Sequence, residues 1–322
     1  MKIELYTQDR YDEWENFVLQ ANNGTIFHLR RFLSYHPPGR FDELGLIFRH
    51  RGKIIGILPA VIEGDTVVSH RGASYGGFVV ANNMGIYSSY RMVESALGFL
   101  SKEGFSRLVL TQTPQIYYLF PHNHIDFVLA KYGFTFLKRE LTAVLRLERN
   151  IDDNFARFKP EARTAVRKGE REGAEVRLSS DWKQFYRILE RNLGMRHQVK
   201  PTHTLDELLH LHRLFQEKIL LFGNYYHSEL IAGVVIFVAN PRVLLAFYIS
   251  HNEDFQHLRP VNLLFYHIIG WGIERGFRYL DFGTYTLDME PNFGLARFKE
   301  GLGATGLFRD TYAGRLPGSQ DL

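Results

Sequence analysis

Lys102-Glu-Gly-Phe-Ser-Arg-Leu and Glu274-Arg-Gly-Phe-Arg-Tyr-Leu are one motif written twice in the same chain. In each copy a charged helix end meets a glycine, the residue that most readily takes the left-handed conformation after a helix. An aromatic follows, and then an apolar strand. Upstream of the first copy, Val93, Ala96, Leu97 and Leu100 recur at helical spacing; upstream of the second lies an almost wholly apolar helix, Asn262 to Arg275. Downstream, Arg107 to Thr111 and Arg278 to Phe282 read as strands.

Further landmarks repeat in the same order. Trp14 with Phe17 returns as Trp182 with Phe185, Lys53-Ile-Ile-Gly-Ile-Leu as Glu229-Leu-Ile-Ala-Gly-Val, and Leu129-Ala130 as Leu295-Ala296. Such ordered self-similarity implies a duplication. Each half opens on an amphipathic helix and continues as a meander, with strands at Leu44 to Arg49, Ile54 to Ile62 and Thr66 to Arg71, then at Leu220 to Tyr226, Leu230 to Ala239 and Val243 to His251. Helix and strand alternate after that. The expected class is therefore α/β, with two tandem domains, each a mixed sheet flanked by helices. The polar run Glu148 to Asp153 after the strand Thr142 to Leu147 sets the expected boundary, giving domains 1–150 and 151–322.

A length of 322 residues suits two domains, and 45% hydrophobic residues supply two cores. Lys plus Arg exceed Asp plus Glu by 39 to 35, with a pI near 9.1, which favours anionic partners. Zero cysteines exclude disulfides, thiolate nucleophiles and sulfur-based metal sites, and suit a reducing cytoplasm. Met1 to Asn22 carries five acidic residues and reads as mature structure rather than a signal peptide. The apolar stretch Leu230 to Ala239 is far short of the roughly 18 to 20 residues of a membrane-spanning helix. A cytoplasmic protein with no integral membrane segment is expected.

The order and spacing of Gly56-Ile-Leu-Pro, Tyr75-Gly-Gly, Leu230-Ile-Ala-Gly-Val, Tyr279-Leu-Asp-Phe-Gly and above all Leu295-Ala-Arg-Phe-Lys-Glu-Gly-Leu-Gly-Ala resemble the FemAB family over nearly the whole chain. The helical stretch Pro160-Glu-Ala-Arg-Thr-Ala-Val-Arg-Lys-Gly-Glu-Arg-Glu-Gly is also typical. The resemblance implies two tandem domains of the GNAT acyltransferase fold, the second of them catalytic. Many members transfer an amino acid from aminoacyl-tRNA to the stem peptide of a peptidoglycan precursor; others resemble acyl-CoA enzymes. By the same resemblance, Phe298 and Lys299 match a Phe-Lys pair implicated in transfer. Tyr248 matches an aromatic lining the acceptor site, and Asp281 the acid of the Tyr-x-Asp-Phe-Gly strand. His28 and Tyr35-His36 depart from the Gln and Lys that first-half acceptor binders often carry.

Acyl transfer to an amine needs an activated ester or thioester, a neutral amine, and donors aimed at the developing oxyanion. Lys299 is a candidate for that donor, against the alternative of a solvated surface lysine. Phe298 reads as a core ring or a platform under a nucleotide. Asp281 reads as a base or as an orienting group, and Tyr248 as a core aromatic or an acceptor contact. Arg163, Arg167 and Arg171 fall on one helical face opposite Ala162, Ala165, Val166 and Gly169, a phosphate-binding stripe for the donor or a solvated face. Arg196 and Lys200, in a polar loop closed by Pro201, and Tyr75 are the acceptor-binding candidates.

No metal is expected: His203, His210 and His212, or His122 and His124, lack the spacing of a zinc site. A Gly-x-Ser-x-Gly elbow is missing too. Acetyl-CoA enzymes of the GNAT fold cradle pyrophosphate on the backbone of an Arg/Gln-x-x-Gly-x-Gly/Ala turn. Here the stretch is Gln256-His-Leu-Arg-Pro-Val, and proline removes a donor. The expectation is thus an aminoacyltransferase with aminoacyl-tRNA as donor, a small-molecule or cell-wall precursor as acceptor, no cofactor and no DNA partner. The alternatives are a CoA-dependent N-acyltransferase using acetyl-CoA or another acyl-CoA on a sugar, lipid or peptide amine, and a non-catalytic RNA- or nucleotide-binding protein.

Overall fold

The computed structural model describes residues 1–197 and 200–318, without the side chains of 195–199. The chain begins with β1 (Lys2–Leu5), α1 (Tyr11–Gln20), α2 (Arg30–Leu33), β2 (Glu43–His50), β3 (Lys53–Glu63), β4 (Thr66–Ser69), β5 (Val79–Val80), α3 (Ile86–Lys102), β6 (Arg107–Thr111), α4 (His124–Lys131) and β7 (Thr135–Arg146). It continues with α5 (Ile151–Ala156), α6 (Pro160–Arg171), β8 (Glu175–Leu178), α7 (Trp182–His197), α8 (Leu205–Leu214), β9 (Ile219–Tyr226), β10 (Glu229–Asn240) and β11 (Val243–His251). Last come α9 (Pro260–Glu274), β12 (Tyr279–Thr284), β13 (Thr286–Leu287), β14 (Glu290–Pro291), α10 (Phe293–Gly301) and β15 (Thr305–Arg315).

Two compact units result, Met1–Glu140 with the segment from Phe308 onward, and Leu141–Leu307. The sequence reading put the boundary at 148–153, where local polarity rises. The cut falls inside β7 instead, and the end of the chain rejoins the first unit. The reason is a long-range pairing, Thr311↔Thr111 through Arg315↔Arg107, which local composition does not announce.

In the first unit the strands run β1–β2–β3–β4–β6–β15, antiparallel except for β4 beside β6. Met92, Val93, Ala96, Leu97 and Leu100 of α3 are fully buried against this sheet. The second unit repeats the plan, with β8–β9–β10–β11–β12 and the end of β7, and its parallel pair is β11 with β12. Gly104 and Gly276, at φ 89° and 78°, close the two equivalent helices as the repeated motif predicts.

The core of the second unit is built on α9. Pro260 occupies its first turn, where a missing N–H costs nothing, and Leu263, Leu264, Phe265, Ile268 and Ile269 are buried. Each contributes roughly 1.5–3 kcal/mol on leaving water. Helix α6 lays Ala162, Ala165, Val166 and Gly169 inward, and a Cβ on Gly169 would stand 3.1 Å from Leu263. That close approach explains the small residues on this face.

Arg196 belongs to the last turn of α7 rather than to a loop, a correction to the sequence reading. The buried face of Phe185, Leu189 and Asn192 carries the helix past the polar residues that suggested an end. Its side chain lies outside the described residues. Among the described residues, no helix is long and apolar enough to cross a membrane.

Candidate active site

Strands β11 and β12 pair only from Val243↔Tyr279 to Leu245↔Asp281. Beyond that point two irregularities part them. Opposite β10, Tyr248 faces Val235 and Ala246 faces Ile236, so Phe247 is an extra residue that leaves the ladder as a bulge. On β12 the register against β7 slips between Asp281 and Thr284, and Gly283 takes φ 75°. Asp281 drives this turn. It is fully buried, and its Oδ1 accepts the Thr142 hydroxyl and the Gly283 N–H at 2.8 Å.

The carbonyls of Gly283 and Thr284 are thereby free to meet Lys299. Helix α10 starts where the Asn292 side chain accepts the Leu295 N–H at 2.9 Å, and its Ala296 and Lys299 share the inward face. The Lys299 Nζ donates to Gly283 O and Thr284 O, each at 2.8 Å. An ammonium has three N–H bonds, so one remains for a further acceptor. Only 2% of the residue is exposed, which overturns the solvated-lysine alternative. Burial pulls its pKa down to about 8, against the opposing pull of Asp281.

The rest of the Arg-Phe-Lys-Glu-Gly-Leu-Gly-Ala segment now has physical reasons. Gly303, at φ 82°, ends α10, and a Cβ there would meet the Arg157 Cβ at 3.2 Å. Phe298 is half-buried, its ring 6.2 Å from Phe265 at the margin of the core.

Tyr248 lies on the same strand as the bulge but is engaged elsewhere. Its oxygen accepts the His203 N–H at 3.1 Å and stands 2.8 Å from His203 Nδ1, while Tyr186 donates to the His203 carbonyl at 3.0 Å. Burial pushes the phenol up to about 12. The pair pins the segment before α8 to the sheet. His203, considered in the sequence only as a metal ligand, is thus a partner of Tyr248.

The three arginines of α6 differ in use. Arg163 donates to the carbonyls of Ala156 and Phe158 at 3.1 Å, closing the end of α5. Arg167 stands 5.7 Å from the Phe155 ring, and exposed Arg171 lies 3.4 Å from Glu172. Lys168, between them, donates to His257 O at 2.7 Å, in the turn that leads into α9. Of the acceptor candidates, Lys200 is exposed. Tyr75, in the first unit, is buried with its hydroxyl donated to Tyr117 at 3.2 Å and Arg309 over its ring.

That turn is closed on itself. Arg259 holds φ 52° and ψ 47°, the left-handed region that glycine fills most cheaply. Its N–H goes to Gln256 O, Pro260 has none, and the Asn262 N–H goes back to Arg259 O. Buried Asn224 donates to Pro260 O at 3.0 Å from below.

Residues 156–300 match the family model described as an acetyltransferase (GNAT) domain. Among solved structures the chain is similar to FemX, with a TM-score of 0.74 and 14% identity over 97% of each chain. It is also similar to the L-PGS of Bacillus licheniformis, with a TM-score of 0.60 and 13% identity over 95% of this chain and 91% of that one. A tandem GNAT protein from the clavulanic acid biosynthesis pathway follows at 0.56 and 11%, over 99% and 100%. No curated protein matches by sequence. The fold is the tandem GNAT fold, as expected, and these likenesses support the FemAB-like resemblance.

Proposed function

We propose that the chain is an acyltransferase that moves an aminoacyl group from aminoacyl-tRNA to an amine of a peptidoglycan precursor, with chemistry in the second unit. The observation that carries the reading is the buried Lys299 ammonium, held by two carbonyls at the parting of β11 and β12 with one N–H to spare. A neutral acceptor amine attacks the ester carbonyl, and the Lys299 N–H stabilises the oxyanion that forms. Asp281 keeps the strand turned toward the lysine and favours its charged form. The bulge at Phe247 opens the ladder where the reacting groups would lie.

The choice of donor is supported by the turn before α9. A CoA pyrophosphate is met by free backbone N–H groups at a helix start. Here Pro260 has no N–H and those of Arg259 and Asn262 are bonded within the turn, so the exposed side chains of Arg167 and Arg171 remain to meet phosphates. The CoA-dependent reading is favoured by the acetyltransferase family model alone. Incubation with labelled aminoacyl-tRNA, and separately with acetyl-CoA, against a panel of wall precursors decides between them. Label transferred only from acetyl-CoA would overturn the tRNA reading, and transfer from neither would overturn acyl transfer.

A further inference from the structure

Between the strand end that receives Lys299 and the helix that carries it, eight consecutive residues from Leu287 to Gly294 are exposed. Three of them are large and apolar: Leu287 at 75%, Met289 at 57% and Phe293 at 74%. They sit on and beside the hairpin of β13 and β14, whose tip is Asp288-Met289 at φ 49° and 67°. Two-residue hairpins of this hand ordinarily place glycine after the aspartate. Methionine in that position keeps a large apolar side chain at the tip against its backbone preference. An outlier of this kind points toward a use.

The roots of the hairpin are firm. The Asn292 backbone N–H donates to Tyr285 O at 2.8 Å, the Tyr285 backbone N–H to Leu141 O at 3.0 Å, and the Thr286 hydroxyl accepts the Leu141 N–H at 2.8 Å. Asn292 is also the cap of α10. Along the chain, a firm base and an apolar tip thus link the strand end and the helix that meet in the lysine clamp.

We propose that the hairpin is a flap that closes over the acyl end of the bound donor and excludes water from it, an inference that rests on the acyl-transfer reading. In transfer, the amine nitrogen bonds to the ester carbon, the carbon–oxygen bond to the donor breaks, and the amine proton ends on the departing oxygen. Water admitted to the same carbon breaks the same bond and yields free acid and donor hydroxyl. Three apolar side chains over the ester favour the first outcome.

The test compares wild type with the variant Leu287→Ser, Met289→Ser, Phe293→Ser, and with Leu178→Ser as a control on the edge strand β8, where Leu178 is also half-exposed. With labelled aminoacyl-tRNA or acetyl-CoA, whichever turns over, the ratio of hydrolysis to transfer should rise at least about tenfold in the triple variant. The control should match wild type, and thermal midpoints should agree because the changed side chains are exposed. An unchanged ratio overturns the flap and leaves the acyl-transfer reading standing. A second measurement uses the absence of native cysteine: Met289→Cys, labelled with an environment-sensitive fluorophore, should shift to the blue on adding a 3′-aminoacylamido-adenosine. A shift without any transfer shows that the hairpin closes over a bound aminoacyl nucleoside but overturns acyl transfer, and with it the proposed exclusion of water. Binding of the probe with no shift overturns the flap, and no binding with no transfer overturns both.

Discussion

Thr111 and Gly283 are counterparts, each seven residues beyond the glycine that ends the preceding helix, and their carbonyls are met by different partners. Thr111 O accepts the N–H groups of Gly76 at 3.2 Å and Gly77 at 3.1 Å, whereas Gly283 O accepts the Lys299 ammonium. In the first unit a loop fills the strand end with backbone. A Cβ on Gly76 would lie 2.6 Å from the backbone N of His70, so only glycine fits there, and one on Gly77 would displace the Gln112 side chain 2.0 Å away. The second unit places a charge where the first places a plug, which is the ground on which transfer is proposed for the second.

Lys299→Met should lower kcat by about 10²- to 10³-fold with a smaller change in KM, the signature of a group acting on developing charge. Two carbonyls lose their donor, at about 1–3 kcal/mol each when left unsatisfied, partly offset by relief of the buried charge. A modest fall in thermal midpoint with a native circular dichroism spectrum is therefore expected. Steady-state kinetics check the claim; an unchanged kcat would make Lys299 a structural strut.

The pH dependence follows from the lowered pKa of Lys299, about 8 in the fold against about 10.4 in an unfolded chain. Between those values the unfolded chain holds the extra proton, so stability rises with pH across that window. Denaturant unfolding at pH 7.5 and 10 should show wild type gaining on Lys299→Met. Activity runs the other way, falling as pH passes 8 and the donor N–H is lost. In Lys299→Arg that descending limb should move to higher pH, and a limb that stays in place would assign it to another group.

The meander and the paired helix–glycine–strand motifs were legible because period-two and period-3.6 patterns and left-handed glycines are local signals. Lys299 was legible only by resemblance. Its acceptors are backbone carbonyls of Gly283 and Thr284, which no side-chain pattern advertises, and lysine by itself argues for exposure. Likewise the bulge at Phe247 exists only in the pairing of β11 with β10, and Tyr248 meets His203 from 45 residues further along the chain, past α8, β9 and β10. The α6 stripe is borne out as a face, but neither use read for it, donor phosphates or a solvated face, includes the one the fold gives Arg163, which meets the carbonyls of Ala156 and Phe158.

Arg259→Gly should stabilise the protein slightly, by up to about 1 kcal/mol, because a left-handed non-glycine residue is strained and the exposed side chain is lost cheaply. Adding Pro260→Ala restores an N–H at the start of α9. If this turn is what disfavours CoA, the double variant should bind acetyl-CoA at least about tenfold more tightly than wild type by calorimetry. Equal affinities would move donor discrimination elsewhere in the site.

An RNA donor held by the α6 stripe should bind with a steep salt dependence, about 0.7 log units per log unit of salt for each phosphate neutralised on a single strand. Arg163 is committed to the carbonyls that end α5, so Arg163→Gln should cost stability, about 1 kcal/mol, and leave the slope alone. Arg167 and Arg171 are exposed, and replacing both by Gln should flatten the slope while the helix persists, since glutamine is close to arginine in helix propensity and the buried face is untouched. Donor binding measured at several salt concentrations for wild type and both variants separates the two roles. A slope that drops with Arg163→Gln, or one that survives loss of Arg167 and Arg171, would contradict this division and remove the stripe from the donor site.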